Sequence, residues 1–576
     1  MRLLSLSVAL LMSVVMTAQT IKVPHLPGKR TAMPAVNFDS SSAMTKEAGT
    51  KHTKVVLNSG QQRSAAVKRN ISDADPALLD GRTVYGAMVN SLLWSNLSIT
   101  QVPYGIYSFA LTENPAPEAH ITDMGYDFMS GAWGRDRHYA ISVMNVMGTI
   151  NGTHNVSIDT KNWKEISNIT KDRDKGTYSL VLSTIAYDPT DDQFYGFQYK
   201  EDLSGLNWVR VNTATAEFEQ IANYRGNTQV MTLAAMPNGQ FYYIDSAGDL
   251  YSLNKSNGRS SLIGNTGVNV GLYNQAMTYD GKTGKLLWAA QTSEGSELLV
   301  VDPATAETQR VTRFKNNEQF VSLFITATEA PANAPAAVGR PQLKYDANGS
   351  LNGNITFSMP SKTYGGDDLS GNVNLNVWLD GDNLKGEDVA AGSGTISIPV
   401  TLTEGNHYIA ITTDNNAGFS PLRQIYQYAG NDIPKAVASV TFEQADGKNN
   451  VNWTAAETGA NAGVNRGFVD AADLTYKVLR MPDSVYVATE LTNTSFEEAT
   501  PDNMKQYYYR IFAVNHGHES AMAESIHILC GNCFTVPYKQ EFEDPVTLSD
   551  YYTVVITTAT ATHGDRDTAQ RCEWTT

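Results

Sequence analysis

Two histidines, His516 and His518, have a spacing at which a pair of imidazoles could bind a metal ion. A zinc site needs three or four protein ligands, and no third ligand follows this pair in a recognisable pattern. The pair also falls on a predicted loop between strands. We therefore interpret it as a polar turn and assign no metal ligand in the sequence.

Acidic residues gather at three places with the density of a calcium loop. The main one, Asp380–Asp388, lacks a third regularly spaced oxygen ligand, and Lys385 stands where such a loop needs glycine. We interpret it as a hairpin turn, and Asp188–Asp192 as a turn between strands. Asp565–Asp567 is a weaker version of the same pattern. The sequence predicts no cofactor, with calcium as the alternative that stays open.

All three cysteines lie near the C-terminus, at Cys530, Cys533 and Cys572. The first two have the spacing of a redox motif, but such a motif usually opens a helix beside a parallel sheet. Here the pair falls between two predicted sandwiches, which favours a structural role. All three are disulfide candidates, and the odd count leaves one thiol free or without its partner.

No motif for catalysis or nucleic-acid binding stands out. The sequence contains no Gly-x-Ser-x-Gly elbow, no His-Glu-x-x-His helix and no glycine-rich phosphate loop. The formal net charge is −16, and the basic residues are scattered. Binding to a phosphate backbone depends on clustered Lys and Arg, so we expect no nucleic-acid partner.

One turn phrase recurs five times between residues 105 and 315. In each copy a short strand ends in a polar residue, a tight turn follows, and a second strand begins. The copies repeat at intervals of about 42 to 53 residues, a period typical of propeller blades. Their anchors are Asn114, Asp159, Asn212, Asn254 and Asp302. We therefore predict an all-β chain with a β-propeller of five or six blades over residues 80–328.

Residues 230–263 contain the strands of one complete repeat. Short apolar and aromatic runs alternate there with Gly- and Asn-rich turns, which predicts a four-stranded blade. Second strands align at Gln193, Gln240 and Lys285. A sixth blade would form if Val55–Leu57 paired with Phe320–Ile325 and closed the ring. Unrelated hairpins or two β-sandwiches are the alternatives.

The N-terminus predicts export. Arg2 supplies a positive charge, Leu3–Met16 an apolar core, and Ala18 the residue before a cleavage site, so residues 1–18 read as a signal peptide. Residues 19–79 lack periodicity and contain several prolines, which indicates a flexible lead-in. No later stretch reaches the roughly 18 apolar residues of a membrane helix. We expect an extracellular or cell-surface protein without a transmembrane segment.

Residues 436–529 contain short strands, one tryptophan and a late tyrosine-rich strand. The early strands include Val437–Phe442 and Val451–Trp453, and the late strand is Tyr507–Asn515. This segment resembles a fibronectin type III domain. Trp453 matches the tryptophan that this family carries early in its core. The resemblance implies a β-sandwich of about one hundred residues made of two antiparallel sheets.

Residues 336–430 are similar to a more divergent copy of the same domain. Ile355–Phe357 stands where the tryptophan strand belongs, and Gly405–Ile411 is similar to the late strand. A Pro/Ala-rich linker at residues 329–335 separates this copy from the predicted propeller. Proline makes such a linker semi-rigid.

Residues 530–576 begin a different domain. Pro537 and Tyr538, followed by the acidic strand Glu541–Glu543, resemble the opening of jelly-roll domains of the cleaved-adhesin kind. Those domains follow fibronectin-type modules in surface proteins of the gingipain-haemagglutinin group. They need well over one hundred residues, so we expect a truncated sequence and an incomplete jelly roll.

The order of these modules predicts an exported, adhesin-like binding protein. The propeller would present the ligand face, the fibronectin-like domains would act as spacers, and the ligand would be an extracellular protein or a glycan. The alternatives are a secreted propeller enzyme acting on polysaccharide or peptide, and a scaffold without a ligand. An enzyme would need two carboxylates, or a His–carboxylate pair, within hydrogen-bond reach in a deep pocket. The sequence does not indicate an oligomeric state.

Overall fold

The computed structural model describes residues 71–90, 105–122, 128–146, 149–172, 182–200, 204–226, 228–271, 274–292, 295–503 and 505–530. Over these residues the chain is all-β, and its helix is limited to one 3-10 turn at Pro76–Leu78. This confirms the predicted all-β class. The chain divides into two compact units. The first takes residues 1–343, 355–398 and 407–426, and the second takes residues 344–354, 399–406 and 427–576.

Residues 72–320 form five successive sheets. Their described strands are β1 (Ser72–Asp73), β2 (Thr83–Asn90), β3 (Gly105–Ala110), β4 (Glu118–Thr122), β5 (Phe128–Gly134), β6 (Arg137–Val146), β7 (Thr149–Asp159), β8 (Lys164–Asp172), β9 (Leu182–Asp188), β10 (Gln193–Tyr199), β11 (Leu206–Asn212), β12 (Glu217–Asn223), β13 (Val230–Ala235), β14 (Phe241–Asp245), β15 (Asp249–Leu253), β16 (Ser260–Asn265), β17 (Ala276–Asp280), β18 (Lys285–Thr292), β19 (Gly295–Val301), β20 (Thr308–Arg313) and β21 (Gln319–Phe320). The sheet orders are β21-β2-β3-β4, β5-β6-β7-β8, β9-β10-β11-β12, β13-β14-β15-β16 and β17-β18-β19-β20, with β1 parallel to β20. In the last four sheets each strand pairs with the next one along the chain.

The end of this region pairs with its beginning. β21 lies antiparallel to β2, and backbone hydrogen bonds of 2.8 and 2.9 Å join Phe324 to Tyr85. The sequence analysis expected Phe320–Ile325 to pair with Val55–Leu57 in a sixth blade. The described partner is β2 instead, and residues 55–57 lie outside the described part of the chain. This pairing gives the first sheet its fourth strand and fixes both ends of the region in one sheet.

Four of the five predicted anchors form the same turn between the third and fourth strands of their sheets. The side-chain oxygen of each anchor accepts a hydrogen bond from the backbone N–H two residues later, as in an Asx turn. These bonds join Asp159 to Lys161 (2.8 Å), Asn212 to Ala214 (3.0 Å), Asn254 to Ser256 (3.0 Å) and Asp302 to Ala304 (2.8 Å). The fourth residue after each anchor has a φ between 54° and 65°: Trp163, Ala216, Gly258 and Ala306. The recurring sequence pattern therefore forms the same turn in four sheets. The fifth anchor, Asn114, lies in the corresponding turn of the first sheet.

Aromatic side chains on the middle strands fill the space between neighbouring sheets. Trp208 of β11 stacks on Tyr195 with 5.6 Å between ring centroids, and it meets Phe241 of the next sheet edge-on at 5.2 Å. All three are buried. First strands also pack together, β5 against β9, β9 against β13, and β13 against β17. Each sheet thus covers apolar surface that its neighbour would otherwise expose to water.

The rest of the described chain forms two β-sandwiches. Their strands are β22 (Gln342–Tyr345), β23 (Asn352–Ser358), β24 (Asn372–Leu379), β25 (Asp382–Ala390), β26 (Thr395–Thr401), β27 (Gly405–Asn415), β28 (Gly418–Phe419), β29 (Arg423–Ala429), β30 (Ala438–Ala445), β31 (Lys448–Thr454), β32 (Thr475–Met481), β33 (Val485–Leu491), β34 (Ser495–Ala499), β35 (Lys505–Asn515), β36 (His518–Glu519), β37 (Ala523–Glu524) and β38 (Ile528–Cys530). The first sandwich has the orders β22-β23-β26 and β25-β24-β27-β28, with β29 on β27. The second has β30-β31-β34 and β33-β32-β35-β36, with β37 and β38 on β35.

The core of the second sandwich lies between two antiparallel sheets, as the resemblance implies. Its two sheets meet where Phe442 packs edge-on against Tyr509 at 4.9 Å and Trp453 packs against Tyr476 at 5.4 Å between centroids. Along β35, alternate residues are buried from Tyr507 onward. Trp453 is therefore the core tryptophan that the resemblance implies. In the first sandwich, Phe357 is buried on β23 at the matching place.

Candidate functional site

A cavity of about 400 Å³ lies where the first strands of the sheets end. Residues from β5, β9, β13 and β17 line it, together with the segment Leu323–Glu329 that follows β21. Residues of the first sandwich, between Phe419 and Gln424, form a further part of its wall. All these residues belong to one compact unit. Four of the five sheets, the segment after β21 and the first sandwich thus form the wall of the cavity.

Aromatic residues occupy the same register on several of the first strands that line the cavity. Trp133, Tyr187 and Tyr279 each stand one residue before the last paired position of their strand. Phe324 joins them from the segment after β21, and its ring lies nearly parallel to that of Trp133, at 4° and 5.9 Å between centroids. On β13 the small Ala235 lines the cavity instead. Four aromatic residues, from three first strands and the segment after β21, therefore line the cavity.

Local contacts fix the orientation of these rings. The indole N–H of Trp133 donates to Thr160 Oγ1 at 2.9 Å, and the hydroxyl of Tyr187 donates to Asp192 Oδ1 at 2.8 Å. The sequence analysis did not single out these aromatics. Their signal was present in the sequence, since an aromatic residue is the second-to-last residue of β5, β9 and β17.

Gly134 leaves the space that the ring of Tyr187 fills. A Cβ atom at this position would lie 2.4 Å from two atoms of that ring. Replacing Gly134 with alanine should therefore displace Tyr187 from the cavity wall and lower the free energy of unfolding by about 1–3 kcal/mol, the usual cost of overpacking. Urea unfolding measures this loss. Gly205→Ala is the control, because its nearest neighbour would be 3.9 Å away. Equal stability of the two variants would contradict the contact.

Every charged side chain that lines the cavity has an ionic partner. Arg135 pairs with Asp192, and its guanidinium lies 4.4 Å from the ring centre of Tyr426. The other two charged lining residues are carboxylates. Asp136 meets Lys161 Nζ at 2.6 Å, and Glu329 meets Arg82 Nη1 at 3.4 Å. The wall of the cavity therefore presents no charge that lacks a partner.

One buried hydroxyl at the cavity has no protein partner. The oxygen of Tyr279 is inaccessible to solvent and accepts or donates no hydrogen bond among the described residues. Burial, followed by the charge of Asp280, raises the pKa of Tyr279, so the phenol stays protonated and able to donate. A buried polar group of this kind is costly to leave unpaired. Because no water reaches this oxygen, a ligand in the cavity would not contact it either.

The first sandwich is held against the cavity rim by specific bonds. The hydroxyl of Tyr408 donates to the carbonyl oxygen of Pro189 at 2.5 Å, and the amide of Gln424 donates to the same oxygen at 3.4 Å. The Tyr426 hydroxyl lies 2.5 Å from Arg135 Nη1. These contacts come from β27 and β29, so this part of the sandwich is fixed in place as a wall of the cavity.

The predicted acidic turn Asp188–Asp192 lies beside the rim. Lys255 Nζ meets Asp188 Oδ2 at 2.5 Å and Asp191 Oδ2 at 3.0 Å. Burial, followed by the charge of Asp191, raises the pKa of Asp188, and Lys255 opposes this shift. Burial lowers the pKa of Lys255, but the two carboxylates outweigh it and raise the pKa. A lysine thus occupies the place between these carboxylates, and the run forms the predicted turn between β9 and β10.

The other acidic and histidine candidates also form turns. Asp380 and Gly381 have φ values of 52° and 90° and make the two-residue hairpin turn between β24 and β25. The carboxylate of Asp380 accepts from His407 Nδ1 at 2.6 Å. His516 lies near Asp473 at 3.3 Å, and the imidazole of His518 lies 2.7 Å from Glu404 Oε1. Within the described ranges, no group of three or more His, Cys, Asp or Glu side chains is arranged to hold a metal ion.

The cysteine and terminal predictions fall largely outside the described residues. Cys530 is buried, and its Sγ lies 3.6 Å from Asn449 Oδ1. Its two candidate partners, Cys533 and Cys572, are not among the described residues, so the disulfide stays a prediction. The same holds for the signal peptide at residues 1–18, the calcium candidate Asp565–Asp567 and the jelly-roll start at residues 531–576. In the part of the chain that is described, no helix has the length and apolar character needed to cross a bilayer.

Comparison with solved structures finds fibronectin type III domains among the proteins that are similar to parts of the chain. The chain matches no protein-family model and no curated protein sequence. Among solved structures it is similar to a two-domain fibronectin type III segment from chicken tenascin (12% identity, 34% of this chain and 99% of that chain, TM-score 0.16). It is also similar to the FN1–FN3 domains of chicken CNTN1 (13% identity, 41% of this chain and 76% of that chain, TM-score 0.16). A third similar structure is a Fn3-like protein from Clostridium thermocellum (25% identity, 16% of this chain and 88% of that chain, TM-score 0.12). At these TM-scores the likenesses carry no argument about function.

Proposed function

We propose that the five sheets form a five-bladed β-propeller and that the chain is an exported binding protein whose ligand site is the cavity. Three observations support the propeller. The sheets follow one another as units of four antiparallel strands, the last with β1 added in parallel, their first strands pack together in sequence order, and β21 joins the last segment to the first sheet. Such closure is the way in which propellers protect strand edges. The signal-peptide pattern of residues 1–18 supports export.

The observation that carries the binding role is the set of four aromatic residues that line the cavity. A volume of about 400 Å³ falls within the usual size range of small-ligand sites, which are mostly apolar with a few placed polar groups. Aromatic anchors are the side chains that most often dominate binding energy. The ligand would be a glycan or a small part of an extracellular protein. The first sandwich then serves as a wall of the site, and the spacer role falls to the second sandwich alone.

The alternative of a propeller enzyme receives less support from the same cavity. Its carboxylates, Asp136 and Glu329, are held by Lys161 and Arg82, and the described lining residues include no histidine. General acid–base catalysis needs a carboxylate pair or a His–carboxylate pair aimed at the substrate. Binding is therefore the function that we propose.

Replacing Trp133 with alanine tests the proposed site. The full-length protein would be screened against immobilised glycans and matrix proteins, and the affinity of each ligand that binds would then be measured for the variant. Loss of the indole should weaken binding at least about fivefold, because truncating an anchoring tryptophan commonly costs more than 1 kcal/mol. Ile166→Ala is a matched control, since Ile166 lies in the same sheet and is 48% exposed.

Two results would speak against the site. The first is a screen in which no glycan or matrix protein binds. The second is a ligand that binds Trp133→Ala and the wild-type protein equally well. Thermal unfolding of both variants would verify that they are folded.

A further inference from the structure

We infer that a buried carboxylate, that of Asp432, locks the junction between the two sandwiches, so that the second sandwich is a rigid spacer. Asp432 lies in residues 430–437, the link between β29 and β30. Modules joined by a short link usually move relative to one another. The contacts of this link oppose such motion, and the residues that make them all belong to the second compact unit.

Four hydrogen bonds reach the carboxylate of Asp432, which is 0% exposed. Oδ2 accepts from the backbone N–H groups of Asn465 and Gly467 at 2.7 and 2.8 Å, and Oδ1 accepts from the side-chain amide of Asn465 at 2.9 Å. The fourth donor is the N–H of Ile433, at 2.7 Å. Asn465 and Gly467 lie in the loop between β31 and β32. Because hydrogen bonds to an ionised group are about twice as strong as neutral ones, this carboxylate ties the link to the second sandwich.

The backbone of the link pairs with the same loop. The N–H of Asp432 donates to the carbonyl oxygen of Phe468 at 2.7 Å, and the N–H of Val464 donates to the carbonyl oxygen of Ile433 at 2.9 Å. Asn431 also forms a parallel bridge with Phe468. A flexible linker leaves its backbone groups to water. Residues 431–433 are bonded to the loop instead.

Turns of the first sandwich close on the link from the other side. Glu404, between β26 and β27, accepts from the N–H of Asn431 at 3.3 Å, and its other oxygen lies 2.7 Å from Nε2 of His518 on β36. Both side chains are partly exposed, at 39% and 31%, so this pair adds little by itself. Gly349, between β22 and β23, lies closer still. A Cβ atom there would be 2.9 Å from Asn431 Oδ1 and 3.1 Å from the ring of Phe468.

Two glycines allow the loop to approach the link closely. A Cβ atom at Gly463 would lie 2.2 Å from Asp432 Oδ2, and one at Gly467 would lie 2.5 Å from the ring of Tyr428 on β29. Tyr428 is itself only 9% exposed. The last strand of the first sandwich, the link and the loop of the second sandwich therefore pack against one another as parts of one joint.

The direct test measures motion across the joint by pulsed electron paramagnetic resonance on the full-length protein. Spin labels are placed at Ala347→Cys, in the turn between β22 and β23, and at Ser484→Cys, in the turn between β32 and β33, with Cys533 and Cys572 replaced by serine. The distance distribution should be narrow in this background. It should be clearly broader after Asp432→Asn, because the amide keeps the size of the side chain but removes its charge and one acceptor oxygen.

Trypsin cleavage gives a second readout on the chain without labels. Lys435 lies in the link and Arg466 in the loop, and both are exposed. Cleavage after each should be at least about tenfold faster in Asp432→Asn than in the wild-type protein, since one bond to a buried charge is commonly worth a factor of ten or more. Asp446→Asn is the matched control, because Asp446 is an exposed aspartate in the turn between β30 and β31. Circular dichroism verifies that both variants are folded.

Three results would overturn the inference. A broad distribution already in the labelled background would show a flexible link. A distribution that is equally narrow in Asp432→Asn would show that other contacts hold the joint. Faster cleavage after Arg466 alone, with Lys435 as resistant as in the wild-type protein, would reduce Asp432 to a local support of the loop. The joint does not depend on a ligand in the cavity, so a failed binding screen would leave it unaffected.

Discussion

Replacing Arg82 with methionine should lower the free energy of unfolding by about 3–5 kcal/mol, the usual cost of removing one partner of a buried ion pair. Arg82 holds Asp280 through two hydrogen bonds, Nη1 to Oδ1 at 2.5 Å and Nη2 to Oδ2 at 3.1 Å. The side chain of Asp280 is only 2% exposed. Methionine would leave that carboxylate buried without a counter-charge. Urea unfolding followed by tryptophan fluorescence measures the loss.

The size of this effect follows from the position of the pair. Arg82 precedes β2 in the first sheet, and Asp280 ends β17 in the fifth. The bond therefore joins the two sheets that meet where the region closes on itself. As a control, Lys362→Met breaks a pair whose side chains are 56% and 91% exposed, which should cost about 0–1 kcal/mol. If Arg82→Met cost no more than this control, the closing contact would contribute little to stability.

Replacing His138 with glutamine should remove a loss of stability that the wild-type protein suffers in acid. His138 is fully buried, and its Nε2 lies 2.8 Å from Ser322 Oγ. Burial lowers the pKa of His138 from its ordinary 6.5 to about 3. Between these two values the unfolded chain binds a proton that the folded chain does not. Stability therefore falls as the pH decreases through this window, and it is unaffected by His138 above pH 6.5.

The measurement is the difference in unfolding free energy between wild type and His138→Gln at pH 7 and at pH 5. Because one pKa unit corresponds to about 1.4 kcal/mol, the difference should change by about 2 kcal/mol in favour of the variant at pH 5. Asp245 and Asp414 act in the opposite direction, since burial raises the pKa of each carboxyl to about 6. Both carboxyl groups are present in wild type and variant, so their contributions cancel in the difference between the two unfolding free energies. A difference that is independent of pH would contradict the burial of a neutral His138.

The repeated turn could be predicted from the sequence because its information is local. An Asp or Asn side chain bonds to a backbone N–H only two residues away, as Asp159 and Asp302 do. The same residue type at the same place in each repeat therefore produces the same turn. The fibronectin-like core was predictable for a similar reason, since Trp453 and the alternation along β35 appear directly in the sequence.

The closing strand and the cavity wall could not be predicted in this way. β21 has only two residues, and so short a run carries no pattern that identifies β2, more than two hundred residues earlier, as its partner. The wall depends on distant contacts of the same kind, such as the bond from Tyr408 to Pro189. A spacer role for the first sandwich followed from the order of modules alone. Its place beside the cavity depends on side chains that meet only in the folded unit.

The most direct test of the account is a crystal structure of the full-length protein with a ligand found in the binding screen. We expect the first strands β5, β9, β13 and β17 to line one cavity, and the ligand to lie there against Trp133 and Tyr187. A ligand bound at another surface, or first strands that share no common cavity, would contradict the account.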